Sequence, residues 1–104
     1  MWSDYSRLEF IKSDDYYGSD IVIAFGRYAH GDSYPFDGPG FTLAHAYYPY
    51  EFGSFGGDIH FDEDEAWSPN AKNDGGVDFY TVAVRISIFF LNAKGHFPTC
   101  LIIL

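Results

Sequence analysis

A chain of 104 residues with a formal charge of −9 has room for one domain at most and argues against nucleic acid, which selects a basic footprint. Aromatic residues at 21% and hydrophobic residues at 47% suffice for a compact core, and the single Cys100 excludes an internal disulfide. No apolar run approaches the roughly 20 residues of a membrane span, and Met1-Trp2-Ser3-Asp4 lacks the basic and apolar regions of a signal peptide.

Helix formers are scarce against Gly, Asp, Tyr and Phe, so strands and loops should dominate. Trp2 to Ser6 reads as a turn-like lead-in. Leu8-Glu9-Phe10-Ile11 reads as a short strand, and Lys12 to Asp20 as a polar loop. Ile21 to Phe25 is an unbroken apolar run ended by Gly26, which predicts a strand covered on both faces inside a sheet. Gly31 to Gly40 is loop; Thr42 to Tyr47 predicts a third strand, stopped by Pro49. Asp58 to Asp62 predicts a fourth, and Ala66 to Gly76 a linker-like loop. From Asp78 the pattern fits two elements. Phe79, Val82, Ala83, Ile86 and Phe89 share one helical face, with Asp78 as cap, yet Val82, Val84, Ile86, Ile88 and Phe90 alternate as a strand. The β-branched content leans towards strand.

Metal chemistry concentrates between His30 and Glu65. His30 and Asp32 lie in a loop, His45 and His60 in two predicted strands. Three neutral imidazoles and a carboxylate fill a tetrahedral zinc shell and leave no position for water. From spacing alone, this site and three separately hydrogen-bonded histidines stay equally open. Asp37-Gly38-Pro39-Gly40 is a turn whose carbonyls can face one point, and Asp62 and Glu65 carry charge, as calcium requires. An ordinary turn and a solvated acidic loop account for the same residues. The loop Ser54 to Asp58 is a second calcium candidate.

The words FGRxxHGDxxPFDGPGxxLAHAYxP and GGDxHFDEDExW, from Phe25 to Trp67, together resemble the matrix metalloproteinases, or matrixins, of the metzincin clan. The resemblance implies an α+β catalytic domain: a twisted mixed sheet, here of about four short strands with long metal-binding loops. One C-terminal helix or strand stands where the family's active-site helix belongs. It implies structural zinc on His30, Asp32, His45 and His60. It implies one calcium on Asp37, Gly38, Gly40, Thr42, Asp62 and Glu65, and a second on Asp20, Ser54, Gly56 and Asp58. It places an extended substrate peptide along the strand holding Leu43 and Ala44. By the same resemblance the partner is an extended peptide or extracellular-matrix protein and the location extracellular.

The family's catalytic HExxHxxGxxH supplies three zinc ligands and a glutamate base. Aligned on Val82-Ala83-Val84, those positions hold Arg85, Ile86, Phe89, Asn92 and Gly95. A guanidinium cannot ligate a cation, and His96 alone cannot hold catalytic zinc. Residues 1–84 therefore read as an incomplete matrixin catalytic domain and 85–104 as a divergent tail. With the family's first strand, first helix and Met-turn missing, a truncated product, splice form or mispredicted frame is expected. The functional expectation is a zinc- and calcium-binding fragment inactive in proteolysis. The alternatives are a working secreted metalloendopeptidase with a misrecorded C-terminus, or a non-catalytic peptide- or matrix-binding module.

Overall fold

The computed structural model describes residues 9–48, 53–69, 71–92 and 99–103. Readings that fall on Trp2 to Ser6, Pro49, Gly95 and His96 lie outside them. Strands β1 (Glu9–Lys12), β2 (Ile21–Gly26) and β4 (Ile59–Asp62) form where apolar and β-branched residues meet in short runs, and β3 (Ala44–Ala46) pairs with β4. A fifth strand, β7 (Thr99–Ile103), completes a mixed sheet in the order β1-β7-β2-β4-β3. Among the described strands of this sheet, β3–β4 pair antiparallel, while β1–β7, β7–β2 and β2–β4 are parallel.

β2 is interior, as its unbroken apolar run predicts, but it is not covered on both faces. Phe25 remains 50% exposed while stacking on its register partner Phe61. In β4 all four residues are buried. Its alternation sorts them: Ile59 and Phe61 enter the core, while His60 and Asp62 take the opposite face.

The segment from Ala66 to Gly76 is more structured than a linker. It contains β5 (Trp67–Ser68) and the single-turn helix α1 (Ala71–Asp74), and β5 pairs in parallel with β6 (Val77–Asp78). Asp74 drives this local order, accepting hydrogen bonds from the Ser68 hydroxyl at 2.6 Å and the Gly76 amide at 3.2 Å.

The ambiguous stretch after Asp78 is a helix, α2 (Phe79–Asn92), and the leaning towards strand is corrected. Two local causes outweigh β-branched propensity. Asp78 Oδ1 accepts the Thr81 amide at 2.9 Å, an N-cap that satisfies one of the helix's orphan donors. Phe79, Val82, Ala83 and Ile86 then share a face and pack on Ile59, Phe61 and Trp67. Trp67 is fixed by its indole N–H, which donates to the Asp62 carbonyl at 2.6 Å. Among the described residues, no helix is long and apolar enough to cross a membrane.

Candidate metal centre

The face of the sheet opposite α2 gathers four polar side chains around one point. β3 and β4 pair with His45 opposite His60, so strand alternation presents both imidazoles on the same face. After β2 the chain turns through Tyr28, a non-glycine residue at φ 43°, and returns His30 and Asp32 to that face. The Tyr28 carbonyl accepts the Phe36 amide at 2.9 Å and His30 Nδ1 at 2.8 Å. With the proton on Nδ1, His30 Nε2 carries the lone pair that faces the cluster.

His30 Nε2, His45 Nε2, His60 Nδ1 and Asp32 Oδ2 form a near-regular tetrahedron. The Asp32 oxygen lies 3.0, 2.8 and 2.9 Å from the three nitrogens. The nitrogens lie 3.3, 3.2 and 3.2 Å from one another. Zinc at its usual 2.0–2.1 Å from nitrogen would require edges of about 3.3–3.4 Å. Ring nitrogens that present lone pairs to one another at such distances repel unless a positive charge lies between them, and one proton serves only one pair. The donor set fits a tetrahedral dication.

Burial prepares these groups. Side-chain exposure is 1% for Asp32, 8% for His30, 9% for His60 and 20% for His45. Desolvation pulls the pKa of His45 and His60 below the ordinary value against the opposing pull of Asp32, which favours neutral, ligating imidazoles. Burial alone would raise the Asp32 pKa. Hydrogen bonds from Tyr47, the Tyr34 amide, His45 and His60 outweigh it and hold the carboxyl far below the usual range. Burial, then the hydrogen bond to Asp32, pushes the Tyr47 phenol well above its usual range.

Aromatic rings wall the cluster. Phe36, 3% exposed, stacks on His30 at 4.5 Å and on His45 at 4.6 Å. Tyr47 meets His45 and His60 edge-on, and Phe55 meets His60. Sequence reasoning singled out none of these three, nor Gly26, whose missing side chain leaves room for His30. Only Tyr47 had a signal, its place two residues after His45 on the same strand face.

The positions expected to bind calcium are partly assembled. Glu65 Oε1 accepts the Gly40 amide at 2.7 Å, and Asp37 Oδ2 accepts the Thr42 amide at 3.3 Å. Gly38 and Gly40 adopt φ of 82° and 85°, which the turn demands. Asp62 is 0% exposed, and its Oδ2 has no hydrogen-bond partner. Asp37, Asp62 and Glu65 do not converge as the zinc-type set does. Among the described residues, that set is the one group of three or more metal-ligating side chains with donor atoms within 4.8 Å of each other. At the second position Asp58 is buried, and Oδ1 accepts the Val22 amide at 2.9 Å. Burial raises its pKa despite that bond. The turn Gly53–Phe55 brings Ser54 and Gly56 beside it, and Asp20 is exposed.

Leu43 and Ala44 lie at the sheet's terminal strand, where the Leu43 carbonyl accepts the Asp62 amide. A groove of about 420 Å³ runs beside that strand, lined by Tyr34, Thr42, His45 and Tyr48 among others. On α2, Arg85 is exposed and Ile86 is buried in the core.

The sequence model of the matrixin family matches residues 1–86. The chain is 46% identical over 86 residues to matrix metalloproteinase-25 of Mus musculus, covering 82% of this chain and 14% of that protein. It is 48% identical over 89 residues to matrix metalloproteinase-2 of Drosophila melanogaster, covering 82% and 11%. It is 60% identical over 69 residues to matrilysin of Felis catus, covering 64% and 24%. It thus spans less than a quarter of the length of each of these relatives. A family match over residues 1–86, with relatives at 46–60% identity, places the chain in the matrixin family of metallopeptidases.

Proposed function

We propose that the chain is a matrixin catalytic-domain fragment that binds one structural zinc through His30, Asp32, His45 and His60 and does not hydrolyse peptides. One observation carries this reading: a closed tetrahedron of four protein donors, walled by Phe36, Tyr47 and Phe55. A catalytic zinc keeps a position for water, and this shell has none. The bound ion would polarise no substrate; its chemistry is to tie the loop after β2 to β3 and β4. Residues 1–84 carry this scaffold and residues 85–104 diverge from it. At the positions aligned with the family's ligands and base, Arg85 is cationic and Ile86 is apolar and buried.

Calcium is proposed at Asp37, Gly38, Gly40, Thr42, Asp62 and Glu65, where the orphaned Asp62 Oδ2 is the supporting observation. A second calcium is proposed at Asp20, Ser54, Gly56 and Asp58. The location is extracellular, by family. Metal analysis by mass spectrometry should return one zinc per chain, and a quenched peptide substrate should stay intact. Two zincs per chain, or turnover abolished by a chelator, would overturn the reading.

A second reading is favoured by the position of β3 at the end of the sheet among the described strands and by the groove beside it. That edge would capture an extended peptide by main-chain hydrogen bonding at Leu43 and Ala44, without cleavage. Isothermal titration with a matrix-derived peptide at millimolar concentration should show saturable binding; flat heats would exclude it.

A further inference from the structure

We propose that Tyr47 is a positioning residue for the zinc centre, its hydroxyl fixing the Asp32 carboxylate in the orientation that completes the tetrahedron. The inference rests on the zinc reading above. Tyr47 Oη donates to Asp32 Oδ2 at 2.5 Å, the same oxygen that faces the three imidazole nitrogens. The other oxygen, Oδ1, accepts the Tyr34 amide at 3.0 Å. Each carboxylate oxygen therefore has its own donor, which stops the group from rotating about its terminal bond. With Oδ1 occupied, Asp32 offers the metal one oxygen, and the count stays at four.

Tyr47 is itself held firmly. It is 6% exposed, its amide donates to the Asp58 carbonyl at 3.0 Å and its carbonyl accepts the Gly57 amide at 3.0 Å. Ring contacts with Phe55 and Tyr34 complete its seat. A donor fixed in this way orients a ligand without touching the metal, and outer-shell groups of this kind are worth about 10- to 100-fold in metal affinity.

The test is zinc affinity of the full chain by competition with a chromogenic chelator. Tyr47→Phe keeps the ring and removes the hydroxyl, and should weaken zinc about 10- to 100-fold. In an Asp32→Ala background the same change should have no further effect, because Tyr47 acts only through Asp32. A ring that merely packs would produce equal losses in both backgrounds, or none in either, and each result would overturn the proposal. A wild-type chain that binds no zinc removes the underlying reading instead. Independently of any variant, NMR of the zinc-loaded wild type should show a slowly exchanging hydroxyl proton assigned to Tyr47. Its absence would also overturn the proposal.

Discussion

A Cβ placed on Gly26 would lie 2.7 Å from the Cβ of His30 and 2.9 Å from its Cγ. That contact decides what an alanine does there: it pushes His30, one of the proposed zinc ligands, rather than straining the backbone. Gly26→Ala should therefore lower zinc affinity at least about tenfold, read by the same chelator competition. Phe61, 1% exposed, tests the other face of the sheet. Phe61→Ala should cost about 3–5 kcal/mol in urea denaturation, the range for emptying a buried aromatic site. Acid should act through the histidines. In the folded chain His45 and His60 titrate below 6.5, so the unfolded chain binds more protons as pH falls through that value. Stability of the metal-free chain is therefore full above about pH 7 and declines on acidification below 6.5. The depressed Asp32 acts with the same sign further down, its contribution present above 3.8 and lost at lower pH. Denaturant midpoints at pH 8, 6.5 and 5 should fall in that order, and a flat profile would contradict the burial argument.

At the scale of elements, legibility followed locality. The strands Ile21–Gly26 and Ile59–Asp62 were readable because an apolar run and an alternating one each declare their own geometry. The convergence of His30, Asp32, His45 and His60 was readable only through the family's words, since spacing says nothing about which loop returns to which strand. α2 resisted because Val82 and Ile86 fit both periods, and the choice lay in packing on Phe61 and in the cap at Asp78. Asp78→Ala should accordingly cost about 1 kcal/mol and reduce helical ellipticity. β7 left no local trace of its partners, because its neighbours Glu9 to Lys12 and Ile21 to Val22 lie far away in sequence.

For the whole molecule, the −9 charge attracts cations and repels anions at long range. A dication held only by the folded chain at about 100 times its Kd adds about 2.7 kcal/mol. For a domain of this size that is a rise in Tm of roughly 10–20 °C, measurable by scanning calorimetry with and without zinc. Calcium should add a further rise that Asp62→Asn removes, since Asp62 holds the one buried oxygen still lacking a partner among the described side chains.

The sheet order β1-β7-β2-β4-β3 also sets a timetable. A ribosome releases β2, β3, β4 and the four residues proposed to hold zinc before it reaches Thr99, so that half of the sheet can close first. Of the described strands β1 emerges first, yet its described neighbour emerges last. At about 5–20 residues per second, β1 waits on the order of 5–20 s for its partner. During that interval β1 lacks its described partner, and a strand waiting on a nascent chain is the kind of edge that holding chaperones protect.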